Sequence, residues 1–122
     1  MTTDRRHRLG EVGEDHAAEH FERLGYEVLA RRHRTRYGEL DLIARDGGVL
    51  VFAEVKARRA GSGNPLESLH ARKQRQVRKM ASAWLADVAE RPWFETLRFD
   101  AVGVTLRPDG ALVALEHLQG AF

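Results

Sequence analysis

Three residues of one short segment, Asp41, Glu54 and Lys56, have types and spacing that suit phosphodiester hydrolysis. They lie in GELDLIARDGGVLVFAEVK, where two β-rich runs flank a pair of glycines. Paired glycines tolerate the positive φ angles of a tight turn, so the segment is predicted to be a β-hairpin. Carboxylates on adjacent strands suit Mg²⁺ or Mn²⁺, which prefer oxygen ligands, and a nearby ammonium stabilises charge developing on a phosphate.

The register of this hairpin follows from the glycine pair. If the two glycines form the loop, counting outward places Asp41 opposite Glu54 and Glu39 opposite Lys56. Side chains alternate along a strand, so all four are predicted on one face. Opposed like charges destabilise a sheet, and a divalent cation would neutralise them. The Glu-x-Lys spacing alone is common; the opposing aspartate makes the prediction more specific.

A helix is predicted from near Gly10 to Leu24, and Glu14 shares its apolar face through the spacing i, i+3, i+4, i+7. Glu14 is either an additional acid aimed at the metal site or an edge residue that reaches water. The same helix contains HAAEH, from His16 to His20, which matches an inverted zincin motif. Both histidines are predicted to face solvent, and no third ligand is evident, so a zinc peptidase is disfavoured.

Basic residues cluster on both sides of the predicted hairpin. One cluster precedes it, and the other follows Lys56. Solvated surface charge is one reading, and a polyanion held over the acidic pair is the other. On the second reading, the residues that contact nucleic acid are Arg34, Arg36, Arg58, Arg59, Arg72 and Lys73. Lys73 shares the apolar stripe of its helix, so its ammonium is predicted to point toward the sheet or its rim.

The rest of the sequence predicts the strands and helices that must position these side chains. A strand at 26–30 is followed by a basic turn, and after the hairpin a helical region begins at Asn64-Pro65, extends to about Glu90 and bends near residue 70. Strands at 97–106 and 111–118 follow. The helix is long enough for a parallel crossover. The predicted fold class is therefore α/β, a mixed β-sheet flanked by helices on opposite faces in the order α-β-β-β-α-β-β.

Length and composition restrict the protein class. A chain of 122 residues with 43% hydrophobic and 31% charged residues is predicted to form one domain at 10–122 behind a flexible basic tail at 1–9. The sequence has no cysteine, which excludes disulfides, thiolate zinc sites and thiol nucleophiles and is consistent with a cytoplasmic location. No apolar run approaches membrane-spanning length, and the N-terminus lacks a signal-peptide core, so no membrane partner is expected.

The segments GELDLIARDGG, VFAEVKAR, LRFDAVGV and GEDHAAEHFERLGYEVLARR resemble the YraN family of small bacterial proteins. That family is similar to the PD-(D/E)XK nucleases, which have the restriction-endonuclease-like fold and include Holliday junction resolvases. The resemblance implies a three-layer core with Asp41 as the first acid, Glu54 as the second and Lys56 as the catalytic lysine. It also implies Glu14 as the helix-borne acid of the resolvase-like branch. Leu40 stands where the literal motif has proline.

The resemblance and the hairpin register together favour a Mg²⁺- or Mn²⁺-dependent nuclease, with DNA favoured over RNA. No long DNA-binding insertion is present, so a structure-specific or nonspecific endonuclease, acting as a monomer or a homodimer, fits a minimal core better than sequence-specific cleavage. The alternative is a nucleic-acid-binding protein on a nuclease scaffold without its own turnover. A third alternative is a scaffold that binds neither metal nor nucleic acid.

Overall fold

The computed structural model describes the backbone of residues 2–122 and the side chains from Arg8 onward. Two α-helices and five strands follow one another in the predicted order α-β-β-β-α-β-β, which confirms the predicted fold class. A short 3₁₀ helix at Pro65–Ser68 precedes the second α-helix. The elements are α1 (Thr2–Arg23), β1 (Glu27–Thr35), β2 (Gly38–Asp46), β3 (Val49–Arg59), α2 (Ala71–Asp87), β4 (Thr96–Leu106) and β5 (Leu112–Leu118).

The five strands form one mixed sheet in the order β1-β2-β3-β4-β5. Neighbouring strands are antiparallel except β3 and β4, which are parallel. Parallel neighbours need a long crossover, and α2 provides it, as predicted. Asp46 pairs with Val49 and Leu42 with Ala53, so the predicted hairpin register is confirmed over this part of the ladder.

Two hydrophobic layers cover the sheet, one under each helix. Phe21 of α1 packs with Leu42 and Val102 on one side. Met80 of α2 packs with Phe52 and Phe99 on the other. Successive strand residues point to opposite faces, so the apolar run of β3 supplies both layers. The helices therefore lie on opposite faces of the sheet, as predicted.

Two predicted boundaries are wrong, and one predicted bend is confirmed in position. Helix α1 begins at Thr2, so residues 2–9 are its first turns rather than a tail; Met1 lies outside the described residues. β1 continues through the predicted basic turn to Thr35, because the residues of that turn pair with β2 down to Gly38. The bend predicted near residue 70 is a break between the 3₁₀ helix and α2, where His70 is extended.

Among the helices of the described residues, none is long and apolar enough to cross a membrane.

Candidate metal centre

The hairpin opens at Asp41, and this opening creates the site. The β2–β3 ladder ends at the Leu42–Ala53 pair, one pair short of the predicted pairing of Asp41 with Glu54. Instead, the Asp41 side chain enters the hydrogen-bonding position of a backbone group, and its Oδ2 accepts from the Val55 N–H at 2.9 Å. A carboxylate thus lies between the two strands.

The predicted common face of the hairpin is wrong. Its four polar side chains, those of Glu39, Asp41, Glu54 and Lys56, do not all point to one side of the sheet. Glu54 lies between Ala53 and Val55, which both pack under α1, so alternation directs Glu54 toward α2. Its Oε2 lies 3.5 Å from Nζ of Lys73 in α2 and 3.2 Å from Nζ of Lys56. Glu39, by contrast, lies near Glu14 of α1.

The physical reason is a local irregularity in β2. Leu40 packs in the layer under α2 and Leu42 in the layer under α1, although residues two apart in a regular strand share a face. The alternation therefore breaks at Asp41. In the neighbouring strand Arg32, which lies between residues paired with Leu42 and Leu40, has a positive φ of 48°. Asp41 can consequently contact acids from both sides of the sheet.

Asp41 is a half-buried acid beside other acids. Burial, the charge of Glu54 and a hydrogen bond to Glu54 raise the pKa of Asp41 to about 9, and the charge of Glu14 acts in the same direction. The Val55 N–H opposes this shift. Without a cation, Asp41 is therefore protonated at neutral pH, which relieves the repulsion among the carboxyl groups.

Glu14 belongs to this cluster and is half-buried, which agrees with the reading of Glu14 as an additional acid of the site. Burial raises the pKa of Glu14, and Arg32 and a hydrogen bond to Asp41 oppose the rise. Arg32 Nε lies 2.5 Å from Glu14 Oε1. Helix α1 can place Glu14 here because Gly13, the preceding residue, lies against Ala57 of β3, where a Cβ on residue 13 would be 2.6 Å from that of Ala57.

Glu14, Glu39 and Asp41 each offer one oxygen, and these oxygens lie within 4.8 Å of one another. Ligands about 2.0 to 2.6 Å from one Mg²⁺, Mn²⁺ or Ca²⁺ ion are separated by no more than about 5 Å, so the three oxygens fit a shared divalent cation. Glu54 is connected to them through its hydrogen bond with Asp41. Glu39 was not among the predicted ligands, because it joins the site only through the break in alternation at Asp41.

The predicted nucleic-acid contacts lie in several places. Lys73 points to the sheet, as its position in the apolar stripe predicts. Arg36 lies over the Tyr37 ring, and Arg58 donates to the Ser62 carbonyl at 3.2 Å. The other predicted contacts are exposed on β1, β3 and α2 and are Arg34, Arg59 and Arg72.

The HAAEH histidines are half-buried and engaged with the β4–β5 region, so the prediction that they face solvent is wrong. His16 Nε2 lies 3.1 Å from the Gly110 carbonyl oxygen, and His20 Nε2 lies 3.0 Å from His117 Nδ1. His117 Nε2 in turn lies 2.7 Å from Asp100 Oδ2. Within the described part of the chain, the one three-residue group suited to a metal contains no histidine.

Asp100 pairs with Arg98 and is fully buried. Burial favours protonation of Asp100, but hydrogen bonds from His117, Arg98 and the Gly120 N–H prevail and lower its pKa. This group is thus a structural network that ties β4 to β5 and the following turn.

Comparison with known proteins identifies the family. Residues 13–104 match the model of uncharacterised protein family UPF0102. A UPF0102 protein of Symbiobacterium thermophilum is 50% identical over 116 residues, covering 94% of this chain and 96% of that protein. A relative from Acidothermus cellulolyticus is 42% identical over 130 residues, covering 99% of this chain and 98% of that protein. The chain therefore belongs to the UPF0102 family, the YraN-like family that its motifs resemble.

Proposed function

We propose that this protein is a metal-dependent nuclease that hydrolyses phosphodiester bonds, and specifically a structure-specific or nonspecific DNA endonuclease. The observation that carries the proposal is the convergence of Glu14, Glu39 and Asp41 from α1 and β2 to within 4.8 Å, beside Glu54 and Lys56 of β3. Glu14 and Asp41 are half-buried and Glu39 is exposed, and acids this close repel one another unless a proton or cation neutralises them. The resemblance to PD-(D/E)XK nucleases agrees with this arrangement.

The donor set suits Mg²⁺ or Mn²⁺, because every ligand is a carboxylate oxygen. An ion bound there would supply Lewis-acid polarisation of a phosphoryl oxygen and a lowered pKa for a bound water. Asp41 must lose its proton for this to happen. Arg32 holds the Glu14 carboxylate in place through its contact at 2.5 Å.

Lys56 is the proposed catalytic lysine. Its ammonium lies 3.2 Å from Glu54 and is partly exposed, while the Glu54 side chain is only 3% exposed. Glu54 thus fixes Lys56 at the rim of the site, where the ammonium can orient an attacking water or stabilise charge on the scissile phosphate. Lys73 contacts the same Glu54 oxygen from α2 and holds the carboxylate between two cations.

The test is cleavage of labelled branched, single-stranded and duplex DNA, and of RNA, in Mg²⁺ or Mn²⁺. We expect cleavage by the wild type and a loss of at least 100-fold in Asp41→Asn and in Lys56→Ala, because each removes a group at the reacting phosphate. Asp46→Asn, an exposed acid at the other end of β2, is the matched control and should retain activity. Cleavage that survives both site substitutions would come from a contaminant and would contradict the proposal.

A second candidate function is nucleic-acid binding without turnover. The Glu54 carboxylate forms ion pairs with two lysines, Lys56 and Lys73, and its charge is therefore balanced without a metal ion. The same assay separates the candidates, because binding without cleavage in either metal would favour the second. A nucleic-acid partner is common to both. A homodimer and a cytoplasmic location stay predictions from the sequence.

A further inference from the structure

The turn between β1 and β2 presents an exposed aromatic ring on a fixed support. The side chain belongs to Tyr37, which is 37% exposed. The Tyr37 N–H donates to Thr35 Oγ1 at 3.1 Å, and that hydroxyl donates to the Gly38 carbonyl at 2.8 Å. From α2, the Gln76 amide donates to the Tyr37 carbonyl at 2.9 Å. The backbone that carries the ring is thereby held by hydrogen bonds on both sides of the turn.

A basic cleft of about 380 Å³ lies between this turn and α2. Its volume is that of a small-molecule site, large enough for a nucleotide but too small for a duplex. No acidic side chain is among its lining residues, which are Tyr37, Arg72, Arg75, Gln76 and Lys79. Lys79 Nζ lies 4.9 Å from the centre of the Tyr37 ring, and the Arg36 guanidinium lies 5.1 Å from it.

The cations around Tyr37 have no carboxylate partner among the described residues, unlike several other arginines of the chain. Arg31, Arg32 and Arg98 are each paired with a carboxylate. In the part of the chain that the structure describes, no carboxylate pairs with Arg36, Arg72, Arg75 or Lys79. Four cations gathered without acids around an aromatic ring produce a positive potential that favours an anionic ligand with a π face.

Helix α2 contacts both the Tyr37 turn and Glu54. Gln76 holds the Tyr37 turn, and Lys73, three residues earlier in α2, contacts Glu54. Three residues correspond to about 4.5 Å along a helix. A chain of phosphates that follows α2 from the cleft therefore reaches Lys73 and Glu54 within about one turn.

We infer that this cleft binds an unpaired nucleic-acid strand, with one base stacked on Tyr37 and its phosphates on Arg72, Arg75 and Lys79. Bases of a duplex are stacked on each other and cannot reach the ring, whereas unpaired bases stack on aromatic side chains. Binding of the strand does not depend on cleavage. The consequence for substrate choice, namely DNA with a single-stranded segment beside the scissile bond, rests on the proposed nuclease function.

The experiment measures binding by fluorescence anisotropy in EDTA, with labelled single-stranded oligo-dT and a duplex of equal length. Tyr37→Leu should weaken oligo-dT binding at least five-fold and duplex binding less than two-fold, because stacking on one base is worth about five-fold or more. Tyr37→Phe keeps the ring and should bind like the wild type. Trp93→Leu removes another exposed aromatic, 64% exposed near the β2–β3 turn, and should have no effect.

Unchanged oligo-dT binding in Tyr37→Leu, with its circular dichroism and Tm matching the wild type, would overturn the inference. An equal loss for oligo-dT and duplex would also overturn it, because the surface would then bind polyanions generally. If binding depends on Tyr37 but no cleavage occurs, the nuclease proposal is contradicted and the strand-binding site is supported. If a flap substrate is cleaved equally well by the wild type and by Tyr37→Leu, the nuclease proposal is supported and the strand-binding site is contradicted.

Discussion

At the scale of single residues, Asp41 is where the fold and a bound cation compete for one carboxylate. It accepts a backbone hydrogen bond from Val55, carries a proton at neutral pH when no cation is present, and lies beside Glu14 and Glu54. A divalent cation would replace that proton. Stability and metal affinity should therefore both depend on pH through this one group.

Substituting Asp41 by Asn should flatten the pH dependence of stability in metal-free buffer. The pKa of Asp41 is raised in the folded state, so the folded protein holds a proton that the unfolded chain releases, and wild-type stability falls as pH rises from about 4 to about 9. Asp41→Asn has no carboxyl group at this position, so it lacks this contribution to the pH dependence of stability. Its free energy of unfolding relative to the wild type should rise by up to about 1.4 kcal/mol per pH unit. Urea unfolding in EDTA at pH 5, 7 and 9 measures the difference.

Asp46→Asn is the control, since this exposed acid at the β2–β3 turn should give a curve parallel to that of the wild type. The raised pKa of Asp41 would be contradicted if the Asp41→Asn curve also ran parallel to the wild type.

Mn²⁺ should raise the Tm of the wild type, and Glu39→Gln should abolish most of that rise. Ligand at 100 times Kd stabilises the folded state by about 2.7 kcal/mol, which corresponds to several degrees in a domain of this size. Glu39 is exposed, so its substitution should leave the fold intact while removing one of three oxygens. Thermal melts with and without Mn²⁺ measure the effect. An equal rise in Glu39→Gln, or in Asp41→Ala, would place the ion elsewhere.

At the scale of elements, the close approach of α1 to the sheet decides whether Glu14 reaches the site. Helix interiors normally disfavour glycine, yet α1 contains both Gly10 and Gly13. Only Gly13 lies against another element, namely Ala57 of β3. Helix propensity therefore favours a residue with a Cβ at position 13, whereas the contact with β3 favours glycine. The residue present is the one that packing favours.

Gly13→Ala should destabilise the protein by about 1 to 3 kcal/mol, because the new Cβ would overlap that of Ala57. Gly10→Ala, in the same helix with nothing within 4 Å of the added Cβ, should stabilise it by about 0.5 to 1 kcal/mol. Urea unfolding of the two variants measures both changes. Adding Ala57→Gly to Gly13→Ala should recover the loss, and a stabilising Gly13→Ala would rule out the close contact.

At the scale of the whole molecule, the distribution of charge matters more than its total. The net charge is only +2, and many basic side chains are already paired with acids of the same chain. Binding of a polyanion should therefore depend on the cations that have no carboxylate partner. Counterion release provides the measurement, because each phosphate contact contributes to the salt dependence of the affinity.

Replacing Arg72, Arg75 and Lys79 by Gln should reduce the slope of log K against log salt for single-stranded DNA by about 2, at about 0.7 per lost phosphate contact. Replacing Arg23 and Arg45, which pair with Glu19 and Glu27, should leave the slope nearly unchanged. Anisotropy titrations from 50 to 300 mM salt measure it. Equal slopes for the two sets of variants would contradict a role for the cleft.

The sequence by itself determined the order of elements and the hairpin register from Asp46–Val49 to Leu42–Ala53, because turn chemistry and side-chain alternation are local properties. It also identified four of the acids and lysines that gather at the hairpin: Asp41, Glu54, Lys56 and Glu14. It placed Lys73 correctly toward the sheet, since the helical period fixes which way that side chain points.

Only the tertiary structure decided how those groups meet. Regular alternation would put Glu54 and Asp41 on one face, but β2 changes its alternation at Asp41 while β3 does not, and Glu39 joins Glu14 as a result. This irregularity depends on packing Leu40 under one helix and Leu42 under the other, and on the space that Gly13 leaves for α1. Such contacts join residues far apart in the chain, so no local pattern encodes them.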